Sequence, residues 1–469
     1  MKIDFDSILH QYQSTYYKLP PFVKKFIGSL YGTIPIEVRF GKNYVYYKKI
    51  IEKFENASEQ FQLDYQFSKT LETLQFAYDH IPFYRDKFDA YGLRPSIFRS
   101  PEDIKKFPKL TKQEIQEHLD TLYTDKFDKP VPYYTGGSSS TPVKLYSSRS
   151  VSRSKEKAYF LNSAAKTGYR YREPTVTFMA RGKPDEAKHI YWEYQKIDNF
   201  LLVSVNHLKE DFIPYIMAEI DDFKPSYFYG YVSAITTFVA ACKNLGIKKL
   251  DFIKGLILVS ESVSTDQILF LKKFFVNAEV VTHYGHTERV TMADRVNDGA
   301  YTFSNSYGLT RVVHGEIVGT SFDNIVMPYI NYRTKDYVLG EIQCYKNTDI
   351  IQEAQMIQGR LQEFLVTTNH TLIPLLRLSI ERFGEYGKIR KTQFCQDTPG
   401  KVVLRIEGGK AEDIKMDALI ELLRKETNHD IEFQIEFVDQ IENTHRRKHR
   451  MCIQKLDIEE YMQSNRFSY

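Results

Sequence analysis

The 469-residue chain has little cysteine: four in all (Cys242, Cys344, Cys395 and Cys452), far apart and without a CxxC pair. That spacing excludes a disulfide framework and implies reduced thiols in a cytoplasmic protein. An excess of one charge is also missing. Lys and Arg number 64 against 60 Asp and Glu, a formal +4, which argues against a dedicated nucleic-acid coat. No stretch approaches the roughly 20 apolar residues of a membrane span. The opening Met1-Lys2-Ile3-Asp4-Phe5-Asp6 carries acids where a signal peptide has a basic start and an apolar run. There is one Trp but 34 Tyr and 32 Phe, spread along the whole chain and so uninformative about an aromatic ligand. What is present, 42% hydrophobic and 26% charged residues, suits a folded protein of about two to four domains.

No repeat or low-complexity tract interrupts the chain. The first 130 residues read mainly as helix. Phe67, Leu71, Leu74 and Tyr78 recur on one helical face that must stop before Pro82, and Lys105 to Leu119 predicts a second helical stretch with Thr111 as N-cap. From Tyr133 the pattern becomes strands (176–180, 200–205, 227–231, 256–260, 279–283) alternating with helices (212–222, 265–275). That indicates an α/β sheet covered on both faces. Near Gly315 the spacing predicts a mostly β subdomain with strands at 316–322, 326–332 and 338–344. The last hundred residues predict a separate α+β module, with strands at 364–367, 388–396, 402–407 and 432–438 and a helix over 411–426. On that helix Met416, Leu419, Leu422 and Leu423 share one side.

Four segments could carry chemistry. In Thr135-Gly136-Gly137-Ser138-Ser139-Ser140-Thr141, with Lys144 beyond, exposed backbone N–H groups and hydroxyls offer the donors a phosphate chain needs. The plainer reading is a polar surface turn, and the Walker spacing is absent. Tyr284-Gly285-His286-Thr287-Glu288 follows a buried strand, where ligands sit in open α/β sheets. There Tyr284 could stack on a base, Thr287 could bond a phosphate and Glu288 could hold Mg²⁺. Asp336, and Arg360 in Gly359-Arg360-Leu361-Gln362, could take ribose hydroxyls and phosphate, although either alone is more often a surface ion pair. The run His445-Arg446-Arg447-Lys448-His449-Arg450 is a solvated charged stretch, a nucleic-acid contact, or one functional lysine in a positive patch.

In this order the four segments resemble the adenylate-forming ligase superfamily, and within it the phenylacetate–CoA ligase-like branch that includes the CapK capsule-biosynthesis ligases. Leu74 to Arg85 resembles the branch's "L-x-x-A-x-x-x-(I/V)-P-(F/Y)-Y-R" segment and Phe107 to Lys112 its "L-P-x-L-T-K" segment. The resemblance runs from about residue 60 to about 456. It implies an α/β fold with a large N-terminal domain (1–360) and a small mobile α+β lid (361–469) hinged at Gln362. It implies Thr135 to Thr141 and Lys144 over the ATP phosphates, Tyr284 on adenine, Thr287 at the α-phosphate and Glu288 on Mg²⁺. Asp336 and Arg360 would lie on ribose, with Lys448 reaching the reacting carboxylate and α-phosphate. From the family's layout Tyr229, Tyr231, Ser260, Glu261 and Ser262 are expected near the acid pocket.

The implied reaction is ATP-dependent formation of an acyl-adenylate, with pyrophosphate released and the acyl group passed to CoA or to an amine or sugar acceptor. Cell-surface polysaccharide assembly is the implied setting. The sequence departs from the family pattern at Ser140, Lys335 and Arg447, each where Gly is usual, at Glu363 in place of Asp, and at Asn369-His370 in place of Asp-Gly. These departures point to a divergent member with an unusual substrate; the alternatives are an inactive nucleotide-binding scaffold and a nucleic-acid binder working through residues 445–450.

Overall fold

A computed structural model describes residue 19 and residues 21–135, 142–179, 184–359, 363–378, 383, 388–443 and 449–463. Helices dominate up to residue 122. Glu59–His80 starts at Ser58, whose hydroxyl accepts from Phe61 N at 3.3 Å, and it stops one residue short of Pro82, which opens the next helix, Pro82–Ala90. Leu74 is fully buried, and Phe67, Leu71 and Tyr78 pack against the same cluster. The stretch expected as one helix over 105–119 is broken. Pro101–Lys106 is a 3₁₀ turn and Lys112–Glu117 a short helix, and Thr111 and Glu114 close a reciprocal capping box on the latter.

Beyond a hairpin of β1 (Pro130–Tyr134) and β2 (Lys144–Ser148), the main sheet begins. Its strands are β3 (Thr175–Phe178), β4 (Trp192–Gln195), β5 (Phe200–Val203), β6 (Tyr227–Gly230), β7 (Gly255–Val259), β8 (Glu279–Gly285), β9 (Met292–Val296), β10 (Tyr301–Phe303), β11 (Gly308–Val313), β12 (Glu316–Ser321), β13 (Tyr332–Cys344) and β14 (Ile351–Gln358), in the order 11-12-13-14-10-9-8-7-6-3-5-4. Strands β5, β3, β6, β7 and β8 run parallel. Alternation sends Leu256, Leu258 and Val280 into a core with the helices Val232–Asn244 and Thr265–Phe274. Their neighbours Ile257, Val259 and Val281 face the opposite core, with Ser152–Ala165 and Ile36–Glu55. The expected β subdomain is not separate: β11–β14 extend the same sheet, joined through the Tyr301↔Ala354 register of β10 and β14. Residues 326–331 form a buried loop rather than a strand.

Past residue 363 a short hairpin, β15 (Phe364–Val366) and β16 (Leu372–Pro374), leads to a second sheet. That sheet holds β17 (Lys391–Thr398), β18 (Lys401–Glu407), β19 (Glu432–Val438) and β20 (Cys452–Gln454) in the order 19-18-17-20. The helix Met416–Glu426 lays Leu419 and Leu423 on it, among Phe394, Leu404 and Ile406. The expected helical span 411–426 is interrupted because Asp413 turns back to cap Lys410 N at 3.1 Å in a 3₁₀ turn. The architecture is thus a large mixed α/β body followed by a small α+β unit. No helix of the described residues is long and apolar enough to cross a membrane.

Candidate active site

The carboxyl ends of the parallel strands gather the chemistry. Strand β8 ends in Tyr284-Gly285, and a turn then presents His286, Thr287 and Glu288. Strand β13, four places away in the sheet order, returns its first residues to the same spot. Tyr284 Oη donates to Asp336 Oδ2 at 2.7 Å, and Tyr332 Oη donates to Glu288 Oε1 at 2.7 Å.

The two upstream motif segments explain how β13 is held there. Tyr84 Oη donates to Pro328 O at 2.9 Å and accepts from Ile330 N at 3.1 Å. Leu110 N donates to Asn331 O at 3.2 Å, and Arg333 N donates to Leu110 O at 3.0 Å. Asn331 Nδ2 adds a bond to Phe107 O at 2.8 Å. These segments are scaffolding: they fix the loop that delivers Tyr332 and Asp336.

Electrostatics at this spot favour a fixed anion. Burial opposes ionisation of Glu288, but His286 and the Tyr332 hydroxyl outweigh it and hold the carboxyl at about 2. Burial, reinforced by the neighbouring carboxylates, pushes both phenols well above their ordinary value, so Tyr284 and Tyr332 stay protonated donors. His286 Nδ1 stands 3.4 Å from Glu288 Oε2 without hydrogen-bond alignment. Thr287 is half-buried between them. A lone, ionised hard-oxygen ligand suits Mg²⁺, which keeps waters and substrate phosphates rather than taking an all-protein cage.

Other expected residues converge on this point. A Cβ on Gly359 would lie 3.8 Å from Asp336 Oδ1 and 3.1 Å from Ser262 Oγ, so the chain passes Asp336 immediately before Arg360. Tyr134 and Lys144 pair across the β1–β2 hairpin, and Thr135 closes its end: Thr135 N donates to Val143 O at 2.9 Å and Val143 N to Thr135 Oγ1 at 3.0 Å. The Arg289 guanidinium sits 5.6 Å over the Tyr133 ring and places the hairpin beside the 286–288 turn. Lys144 lies 5.1 Å over the ring of Tyr146. Gly136, Gly137, Ser138, Ser139, Ser140, Thr141, Arg360, Gln362 and Lys448 lie outside the described residues.

Beyond β7 the backbone turns at Ser260, with φ +66°. Glu261 then caps the helix Val232–Asn244, accepting from Ser233 N and Ser233 Oγ at 2.9 Å each. Ser262 Oγ accepts from Gly359 N at 2.9 Å and donates to Glu363 Oε2 at 3.3 Å. Here a pocket opens between the two units, with about 490 Å³ of empty space including the part open to solvent. Glu261 and Ser262 line it; Tyr229 and Tyr231 do not. Tyr229 packs on Phe160 and Phe200, and Tyr231 is buried at the start of the helix. Sequence reasoning passed over Ser233, Thr236, Thr237, Arg390 and Lys391, which also line it, and took His449, a further lining residue, only as part of the basic run 445–450. A run of small hydroxyl residues one turn into the helix after β6 was the available signal.

No family model matches the chain. CapK of Staphylococcus aureus is 23% identical over 456 residues, covering 93% of this chain and 98% of CapK. Phenylacetate-coenzyme A ligase of Escherichia coli (strain K12) is 48% identical over 46 residues, 10% of either protein. Among solved structures, 2-hydroxyisobutyryl-CoA ligase in the postadenylation state, in complex with R3-HIB-AMP, shares the fold with TM-score 0.60 over 93% of each chain, at 16% identity. The same ligase with 2-HIB-AMP gives 0.59 over 85% of this chain and 90% of that one, also at 16% identity. The chain is thus similar in sequence to CapK over nearly its whole length, and it has the fold of 2-hydroxyisobutyryl-CoA ligase.

Proposed function

We propose that this protein activates a carboxylic acid with ATP, forming an acyl-adenylate and releasing pyrophosphate, and then passes the acyl group to a second molecule. The observation that carries the reading is the meeting of Tyr284, Glu288, Asp336 and the backbone before Arg360 at the carboxyl ends of the parallel strands. Asp336 receives the ribose hydroxyls and Tyr284 lies against the adenine. Thr287 bonds the α-phosphate, and the 135–144 loop with Lys144 covers the phosphate chain. The acid's carboxylate oxygen attacks the α-phosphorus, and the bond to the bridging oxygen breaks, with its electron pair leaving on pyrophosphate.

Two anions meet in that step, so positive charge must offset the growing negative charge. Lys448 supplies part of it from the small unit (361–469), which swings on Gln362 against the body (1–360) and withdraws once the adenylate exists. Glu288 is the residue that would hold Mg²⁺, and the ion when bound supplies further charge neutralisation at the phosphates. The acceptor is CoA or an amine or sugar, and the setting is assembly of a cell-surface polysaccharide, as the resemblance of the motif segments to the capsule-biosynthesis branch implies.

The test is exchange of labelled pyrophosphate into ATP, screened across a panel of carboxylic acids. Exchange that depends on one acid is the expected result; none with any acid or with cell extract would refute the assignment.

A further inference from the structure

The hydroxyl groups of the pocket between the units share one hydrogen-bonding character, beside the donors Gln267, Arg390 and Lys391. Every hydroxyl on it has its proton committed inside the protein. Ser233 Oγ donates to Glu261 Oε1 at 2.9 Å, Thr236 and Thr237 Oγ1 donate to Ser233 O at 3.1 and 2.7 Å, and Ser262 Oγ donates to Glu363 Oε2 at 3.3 Å. Only the lone pairs of those oxygens are left for a guest.

His449 behaves in the same way. Its Nε2 is 2.9 Å from the carbonyl of Thr392, an oxygen that can only accept, so Nε2 carries the proton and Nδ1 is a lone pair. That Nδ1 is buried and has no partner among the described residues. Burial and the nearby Lys391 hold the ring at about 4, which keeps it neutral at physiological pH. Of the cations on the wall, Arg390 is engaged by Glu210 at 3.1 Å and Glu407 at 3.5 Å, leaving Lys391 as the cation for a guest's oxygen.

We propose that this pocket is the acceptor site, and that it selects a small nucleophile rich in N–H and O–H donors, an amino sugar or polyol rather than a thiol, with His449 Nδ1 accepting from the attacking group. This deepens the proposed function and rests on it. A site built to receive hydrogen bonds discriminates strongly against a molecule that cannot make them, and S–H is a weak donor. In the transfer the nucleophile's nitrogen or oxygen bonds to the acyl carbon. The bond from that carbon to the AMP oxygen breaks, and the electron pair leaves on AMP. The nucleophile's proton passes to solvent as AMP leaves, while Nδ1, kept weakly basic by burial, orients the nucleophile by accepting its hydrogen bond and does not keep the proton.

The experiment has two arms on the full chain. Saturation-transfer NMR without ATP compares glucosamine, glucose and CoA as probes. Single-turnover assays then follow AMP release from preformed adenylate with each acceptor, with pyrophosphate exchange measured in parallel. We expect glucosamine or glucose to bind and to be acylated in preference to CoA. His449→Leu should raise the acceptor KM about tenfold, His449→Asn should recover part of the loss, and Thr237→Val, which keeps the shape, should weaken binding in the same direction. Exchange together with preferential thioester formation overturns the acceptor assignment alone, as does an acceptor KM unmoved by His449→Leu and Thr237→Val. Absence of exchange with every acid overturns the proposed function instead.

Discussion

Lys335 and Glu459 join the two units: the lysine ammonium, from the first turn of β13, pairs with a carboxylate on the helix Ile458–Gln463. Lys335 does so from a left-handed backbone, φ +61°, one residue before Asp336. That conformation is why Gly is usual there, since an L side chain in it costs about 1–2 kcal/mol. Both partners are close to half-exposed, 43% and 48%, so the pair contributes only about 0–1 kcal/mol. Lys335→Ala keeps the strain and loses the pair, whereas Lys335→Gly removes both. Denaturant titration should therefore find Lys335→Gly more stable than Lys335→Ala by about 0.5–1 kcal/mol, after the larger chain entropy of unfolded Gly is allowed for. Equal stabilities would show that the backbone there is unstrained.

The Tyr84 hydroxyl, fully buried, satisfies one carbonyl and one amide of the loop leading to Tyr332 and Asp336. Tyr84→Phe keeps the ring but leaves Pro328 O and Ile330 N unsatisfied, at a cost of about 2–4 kcal/mol. Because the loop positions Asp336, the KM for ATP in pyrophosphate exchange should rise as well. A stable variant with unchanged KM would mean that the loop holds its shape without Tyr84.

These contacts also show where reading the sequence succeeds and where it fails. The α/β alternation, the parallel strands and the helix faces were legible because periodicity is local: Leu256 and Ile257 face opposite cores as their spacing requires. The run from Val326 to Tyr332 reads as a strand for the same reason, being mostly apolar. Residues 326–331 form a loop because side chains rather than a strand take their backbone N–H groups: Asn324 for Val326 N and Met327 N, Ser321 for Tyr329 N, and the distant Tyr84 for Ile330 N. Asn324 makes a local Asx turn, but no local pattern encodes the Tyr84 bond, and none encodes the β10–β14 pairing that merges the expected β subdomain with the main sheet. At the site, Tyr284, Glu288 and Asp336 were recoverable as motif residues. The pocket wall was not, because Thr236, Glu363 and His449 come from three separate elements and meet only in the fold.

His449 makes stability depend on pH. Its folded value, about 4, lies below the ordinary 6.5 of an exposed imidazole, because burial and Lys391 disfavour the charged ring while the Thr392 carbonyl partly compensates. Between those values the unfolded chain binds a proton that the folded chain refuses, so stability rises with pH across this window and is lost on acidification through it. The change amounts to about 3 kcal/mol at most. His449→Asn should flatten the stability profile between pH 4 and 6.5 relative to the parent. A profile of unaltered slope would place the titrating group elsewhere.

Glu288 tests whether the carboxylate at the end of β8 acts through its charge. Held at about 2 by His286 and Tyr332 against the effect of burial, it is ionised throughout the neutral range. Its stabilising contribution is present above the ordinary carboxylate value of 4.5 and fades as pH falls towards 2. Glu288→Gln keeps the size and an acceptor for the Tyr332 hydroxyl but removes the charge. Pyrophosphate exchange at neutral pH should fall about 10²–10³-fold, and raising the Mg²⁺ concentration should recover part of the loss if the charge holds the ion. If Lys448 supplies charge as proposed, Lys448→Ala should also abolish exchange while leaving ATP binding largely intact, and added Mg²⁺ should not rescue it. If both variants exchange at the parent rate, the two charges do not flank a reacting phosphate.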